Sequence, residues 1–153
     1  MDYSSIFTAL QDESEQNLEK KSLHVAEQFS QLTYLGHGVH KTVFKIENQS
    51  KVLKVPFEKT FTDQLRTESQ NYEILQNSHY SDWFAPVQKT GPNYTYLIMD
   101  FVDMSVDCEQ QVVANIKSVL TEVETGRDNF GLHPDLGAVT VDYTKPVKKK
   151  FKR

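Results

Sequence analysis

Two charged residues interrupt apolar segments of this 153-residue chain. Lys54 lies inside the strand-like run of residues 52–55, and Glu68 falls on the apolar stripe of the helix predicted after that strand. Removing either charge from water alone costs on the order of several kcal/mol, and an ion pair offsets part of that cost. We therefore predict a fold in which the strand and the helix bring Lys54 to Glu68, with Glu73 as the competing acid.

The spacing of apolar residues predicts that the chain begins with helices and continues as a sheet. Residues 1–32 carry two short apolar stripes at helical spacing, separated by the polar run 12–16. After these, β-type runs alternate with residues that favour turns. The runs cover residues 33–35, 42–46, 51–55, 83–89 and 94–102. Thr62 or Asp63 is predicted to cap the helix between the third and fourth strands.

The last third of the chain predicts one more helix and a hairpin. Asp107 begins an amphipathic pattern at helical spacing, and Gly126 is a suitable C-terminal stop. Residues 130–137 predict a strand and a turn, and residues 138–141 predict the returning strand. A lysine-rich tail, 145–153, completes the chain.

Composition limits the classes of function. The formal charge of −4 argues against nucleic-acid binding by the whole surface, whereas the tail 145–153 carries six basic residues. Cys108 is the only cysteine, which excludes an internal disulfide and a thiolate-rich zinc site. No export signal or membrane-length apolar run is found, so we expect a soluble cytoplasmic protein without membrane contact.

The order of the polar motifs is more specific than any one of them. A Gly-x-Gly turn is followed by a strand lysine, a helix with an inward acid, a strand that ends in an apolar hinge, and an Asn and an Asp thirteen residues apart. The chain therefore resembles the protein kinase-like superfamily. The residues that carry the resemblance are Gly36, Gly38, Val43, Lys54, Glu68, Met99, Phe101, Asn129 and Asp142.

The resemblance implies a role for each of these residues. The backbone at Gly36 and Gly38 would approach phosphate, and Lys54, oriented by Glu68, would supply a positive charge to it. Val43, Met99 and Phe101 would contact the nucleotide at the sheet and the hinge. Asn129 and Asp142 would hold magnesium through oxygen atoms, which this hard cation prefers. ATP and magnesium are thus the expected ligands.

The chain also departs from the family pattern. Lys41 replaces the third glycine of the loop, and Tyr143 and Thr144 follow the metal aspartate in place of Phe-Gly. Glu124 occupies the position of the catalytic aspartate, and Asp128 is the second candidate for that role. Eleven residues follow Asp142, so we expect neither an activation segment nor a peptide-binding lobe.

These observations predict an α+β fold with a kinase-like N-lobe and a minimal C-lobe remnant. The N-lobe is expected to be a five-stranded antiparallel sheet with a helix C equivalent, and the remnant a helix and a hairpin. One domain is expected over 1–144, divided into N-terminal helices at 1–32, the sheet and helix at 33–102, and the remnant at 103–144. The N-terminal helices are expected to cover that remnant.

Three functional hypotheses follow. The favoured one is a truncated pseudokinase that binds and regulates a protein partner, with Mg-ATP as its ligand. The second is a minimal phosphotransferase that uses Glu124 or Asp128 as catalytic base. The third is a small phage or mobile-element inhibitor in which nucleotide has no role.

The tail is the expected contact for an acidic partner or for nucleic acid, and nucleic acid is expected to bind through the tail only. Basic side chains can neutralise phosphates or pair with carboxylates, and a solvated terminus is the alternative. The tail residues predicted to make such contacts are Lys148, Lys149, Lys150, Lys152 and Arg153.

Overall fold

A computed structural model describes residues 2–152, and within that range the protein has an α+β fold with four α-helices and a five-stranded antiparallel sheet. The chain forms two compact units, each made of two stretches of chain. Unit 1 comprises the residues up to 65 together with 88–99, and unit 2 comprises 66–87 together with the residues from 100 onwards. The predicted α+β class and five-stranded sheet are confirmed.

The element order follows the predicted one. The helices are α1 (Ser4–Leu10), α2 (Leu18–Gln28), α3 (Thr62–Leu75) and α4 (Glu109–Ile116). The strands of the large sheet are β1 (Leu32–His37), β2 (Lys41–Ile46), β3 (Lys51–Pro56), β4 (Val87–Thr90) and β5 (Leu97–Asp100). A separate hairpin contains β6 (Phe130–His133) and β7 (Gly137–Thr140). The large sheet has the strand order β1-β2-β3-β5-β4, so β3 is its central strand.

In unit 1, one face of the sheet is covered by the N-terminal helices. Side chains alternate along a strand, and directly opposite residues of an antiparallel pair share a face. Phe44 lies opposite Leu53, and both pack into a core with Ile6 of α1 and Val25 of α2. The sequence predicted that these helices cover the C-terminal remnant, whereas they pack on β1 and β3.

Unit 2 is built around the β6–β7 hairpin. Asp103 and Leu132 exchange two backbone hydrogen bonds of 2.9 Å each, so the chain after β5 pairs with β6. Gly131 lies at this close approach, since a Cβ on it would sit 2.5 Å from the carbonyl oxygen of Asp103. α4 packs against the hairpin and contributes the buried side chains of Val112 and Ile116.

Several boundaries differ from the sequence prediction. Residues His79–Trp83 form a 3-10 helix, so the fourth strand begins at Val87 and not at residue 83. α4 ends at Ile116, and Gly126 adopts a φ of +119° before the turn Arg127–Asn129. Apolar periodicity continued past the end of α4 because Val119 and Leu120 are buried outside the helix.

The start of α3 differs from the predicted cap. A 3-10 turn, Lys59–Phe61, leads directly into the helix, and Thr62 is the first helical residue. The Thr62 hydroxyl donates to the carbonyl oxygen of Lys59 over 3.0 Å. Thr62 and Asp63 therefore both lie within α3 and do not precede it, and Thr62 binds the preceding turn.

We expect Gly131→Ala to destabilise the protein by about 1 to 3 kcal/mol, because a methyl group there must displace backbone. Gly38→Ala is the matched control, since a Cβ at Gly38 has no neighbour within 4 Å among the residues described. The control should change the free energy of unfolding by less than about 0.5 kcal/mol. Urea unfolding measures both, and equal effects would contradict the close approach at Gly131.

Candidate functional site

The second face of the sheet in unit 1 collects residues predicted to contact nucleotide. We call it the lysine face and define it by Val43 and Lys54. Gly36 of β1 lies opposite Val43 of β2, and Val43 lies opposite Lys54 of β3. The three residues form one row across three strands. Met99 of β5, which is fully buried, belongs to this face because its neighbour Ile98 packs against the helix-covered core.

The glycine turn is not explained by packing. Gly36 and Gly38 lack a positive φ, and a Cβ built on either would have no neighbour within 4 Å in the described range 2–152. The register shifts between Tyr34 and Gly36, and the amide of Gly38 donates to the carbonyl of Lys41 over 2.9 Å. The fold itself therefore does not demand glycine at these positions, and a ligand that approaches the backbone would.

Burial separates the two acids considered as partners of Lys54. Lys54 is 3% exposed in the central strand, where residues 52–56 are all buried. Glu68 of α3 is 0% exposed, whereas Glu73 is exposed. A buried ammonium and a buried carboxylate both require polar or charged neighbours. Glu68 is thus the acid that burial favours, and the Lys54–Glu68 pair stays a prediction.

The hinge residues lie where β5 ends. Phe101 follows the last residue of β5 and is half-buried. The amide of Asp100 donates to the carbonyl of Pro86 over 3.0 Å. Contact of Met99 and Phe101 with a nucleotide stays a prediction.

In unit 2, the hairpin brings Asn129 and Asp142 to the same end. The amide of Val141 donates to the carbonyl of Asn129 over 2.9 Å, and the Thr140 hydroxyl contacts the carbonyls of both Asn129 and Asp142. Nδ2 of Asn129 donates to the carbonyl of Thr125 over 2.8 Å. This bond orients the amide so that Oδ1, the atom that would bind a cation, points away from that carbonyl. Oδ1 of Asp142 is buried.

The two candidate catalytic acids differ in their surroundings. Oε1 of Glu124 accepts hydrogen bonds from both the amide and the hydroxyl of Thr144. Asp128 is exposed in the turn before β6. Glu124 therefore fixes the chain that follows Asp142, a role that the sequence analysis did not predict.

A buried amide holds the same segment. Asn71 of α3 is 2% exposed, and its Nδ2 donates to the carbonyls of Tyr143 and Lys145, each over 2.7 Å. Its Oδ1 accepts from the amide of Val147 over 3.1 Å. The amide of Tyr143 also donates to Oε2 of Glu68 over 3.4 Å. Segment 143–147 is thus attached to α3 by two buried polar side chains. The signal available in the sequence was the position of Asn71 three residues after Glu68, on the same side of the helix.

Tyr143 is itself a buried anchor. Its hydroxyl donates to the carbonyl of Ala85 over 2.6 Å, and its ring packs edge-on against Phe84 with centroids 4.9 Å apart. Burial raises the pKa of Tyr143 well above its ordinary value, and the negative charge of Glu68 raises it further. The side chain of Tyr143 thus combines aromatic packing with a hydrogen bond through its phenol group.

The buried His133 and the half-buried Asp100 form a pair that the sequence analysis did not predict. Nε2 of His133 lies 2.9 Å from Oδ2 of Asp100. Nδ1 of His133 accepts the amides of Asp135 and Leu136 over 3.1 and 3.2 Å. Because Nδ1 accepts twice, the proton resides on Nε2 and is donated to Asp100. His133 therefore fixes the hairpin turn and does not present a basic nitrogen to a ligand.

The tail consists of a packed part and an exposed part. Val147 is buried and pairs with Leu120, and the amide of Lys148 donates to the carbonyl of Val119 over 2.7 Å. The ring of Phe151 packs against Tyr80 with centroids 5.0 Å apart. Lys145 and Lys148 are half-exposed, and the other described tail lysines are exposed, namely Lys149, Lys150 and Lys152. Arg153 lies outside the described residues.

The described residues contain neither a generic metal cluster nor a membrane-length helix. Within residues 2–152, no three His, Cys, Asp or Glu side chains are grouped to bind a metal ion, so the metal prediction depends on Asn129 and Asp142. No helix in that range is long and apolar enough to cross a membrane. No protein-family model and no curated protein matches the chain.

Replacing Asn71 by Ala should lower the free energy of unfolding by about 2 to 5 kcal/mol, because buried backbone groups lose their partners. Asn115→Ala is the control, since Asn115 makes one exposed hydrogen bond to the carbonyl of Gln111. We expect that control to change stability by less than about 0.5 kcal/mol. Amide exchange at Tyr143 and Val147 should accelerate in Asn71→Ala alone. Unchanged exchange at both amides would refute the role of Asn71.

Tyr143 should make folding sensitive to alkaline pH. Its folded-state pKa lies above the unfolded value of about 10, so the folded protein keeps a proton that the unfolded chain has lost. This contribution is fully present below about pH 10 and is lost as pH rises, by up to about 1.4 kcal/mol per pH unit. The difference in stability between wild type and Tyr143→Phe should shrink accordingly above pH 10. A pH-independent difference from pH 8 to 11 would contradict this.

Proposed function

We propose that this chain is a kinase-like protein that binds Mg-ATP and regulates a protein partner without transferring phosphate. The observation that carries the proposal is the row of Gly36, Val43 and Lys54 across β1, β2 and β3. One sheet face thus carries a backbone that a phosphate can approach, an apolar side chain and a buried lysine. α3 follows β3 and precedes β4 in the sequence, and it carries the buried Glu68, which supports the same proposal.

The magnesium part of the proposal depends on the hairpin of unit 2. Asn129 and Asp142 would supply the oxygen ligands, and magnesium when bound would neutralise charge on the phosphates. The hydrogen bond from Nδ2 of Asn129 to Thr125 supports this assignment because it leaves Oδ1 as the ligand atom. The bond between Tyr143 and Glu68 supports it as well, since it fixes the residue that follows Asp142.

A regulatory role is favoured by the surroundings of Glu124. A catalytic base must reach the hydroxyl of a substrate, whereas Oε1 of Glu124 already accepts two hydrogen bonds from Thr144. Segment 143–147 is held by Asn71, so it is not arranged as a mobile substrate platform. Binding without transfer is consistent with both features.

The exposed lysines of the tail are the proposed partner contact. Lys149 and Lys150 lie in the exposed 3-10 turn Lys149–Phe151, and Lys152 follows it. Their chemistry fits an acidic protein surface. Association should therefore weaken as salt rises.

Thermal melting with and without Mg-ATP tests the nucleotide proposal. ATP at about one hundred times its dissociation constant adds about 2.7 kcal/mol, which raises Tm by about 5 to 10 °C for a chain of this size. Lys54→Met and Asp142→Asn should abolish the shift. Lys51→Met is the matched control, because Lys51 lies at the start of the same strand, three residues away. No shift of Tm in wild type at millimolar ATP would contradict the proposal.

A transfer assay separates regulation from catalysis. We expect no movement of radiolabelled γ-phosphate to the protein itself or to an added host-protein mixture. Transfer that disappears in Asp128→Asn would replace the regulatory role by the phosphotransferase hypothesis, since Asp128 is the exposed acid next to Asn129.

A further inference from the structure

Lys41 is the first residue of β2, and the strand register fixes its position. It lies opposite Pro56 of β3, two residues along from the Val43–Lys54 pair. Since residues two apart on a strand share a face, Lys41 belongs to the lysine face. Diagonal neighbours of this kind are about 7 to 8 Å apart, so Lys41 and Lys54 are close neighbours.

The glycine turn lies beside Lys41. The carbonyl of Lys41 accepts the amide of Gly38 over 2.9 Å, which closes the hairpin between β1 and β2. Gly36 lies opposite Val43. Neither Gly36 nor Gly38 has a side chain that could fill the space next to the strands. Lys41 therefore stands between the turn and the row that contains Lys54.

Two ammonium groups on one sheet face both attract an anion that reaches them, and the attraction increases with burial because the effective dielectric constant falls. Lys54 is buried and Lys41 is half-exposed. Lys41 and Lys54 are offset from each other along the strand direction. This separation fits an anion with more than one phosphate group better than a single phosphate.

We propose that Lys41 is a second phosphate-binding lysine that makes the lysine face selective for polyphosphates, namely nucleoside triphosphates and diphosphates over monophosphates. The inference deepens the proposed function and rests on it for the nucleoside part of the ligand. The glycine expected at this position could offer only a backbone amide. The lysine adds a point charge that reaches phosphate from the turn side.

The test measures binding of Mg-ATP, AMP and inorganic tripolyphosphate to wild type, Lys41→Gln and Lys45→Gln by calorimetry. Lys45 is the matched control: it lies on the same strand and face, opposite Val52, and its Nζ donates to the carbonyl of Gln49 over 3.1 Å. Urea unfolding verifies that both variants are folded.

We expect Lys41→Gln to weaken binding of Mg-ATP and tripolyphosphate about 10- to 100-fold, the effect of losing one charged contact, and to change AMP binding less than about threefold. Lys45→Gln should bind all three like wild type. The salt dependence of tripolyphosphate binding should also decrease in Lys41→Gln.

The outcomes separate this inference from the proposed function. Wild type that binds Mg-ATP with no difference in Lys41→Gln overturns the inference and leaves the proposed function standing. Tripolyphosphate binding that depends on Lys41, without tighter binding of ATP, supports the inference and removes the nucleotide from the proposed function. Binding of neither ligand by wild type overturns both.

Discussion

The burial of Lys54 in the central strand is the constraint on which much of unit 1 depends. β3 has neighbours on both sides, and residues 52–56 are all removed from solvent. An ammonium at such a position is stable only where the surrounding residues supply charge or hydrogen bonds. The same strand packs Leu53 and Val55 into the core beneath α1 and α2. One strand thus holds an apolar layer on one face and a cation on the other.

In unit 2, polar side chains determine the path of the last third of the chain. Asn71, Glu68 and Glu124 all bond to backbone atoms of residues 143–147. Most secondary structure in a small domain is stabilised by apolar packing, whereas this segment has neither helix nor strand to satisfy its amides. Buried side chains replace the backbone hydrogen bonds that a helix or strand would supply. This explains why a segment without regular structure is well packed.

The sequence predicts what is periodic and misses exact helix ends and contacts between distant residues. The strand runs around Val43 and Lys54 were predicted within one or two residues because alternation and turn residues agree there. α4 was predicted too long because Val119 and Leu120 continue the helical spacing although they lie beyond the helix, Val119 in a turn and Leu120 in a bridge to Val147. The bonds of Asn71 and the pair His133–Asp100 join residues more than 30 positions apart, and no pattern in one sequence reports such pairings. Most predicted site residues fall on the expected elements, since motif order depends on element order, whereas Glu124 lies beyond the end of α4.

The division of the chain into units has a consequence for folding. β5 lies between β3 and β4 in the sheet, so unit 1 cannot complete its sheet before residues 88–99 have been synthesised. By that time residues 66–87, which belong to unit 2, have already emerged. Neither unit is a continuous stretch, so a fragment made by cutting the chain at one place cannot contain one whole unit alone. Folding therefore depends on contacts between distant parts of the sequence, which is typical of proteins that fold slowly for their size.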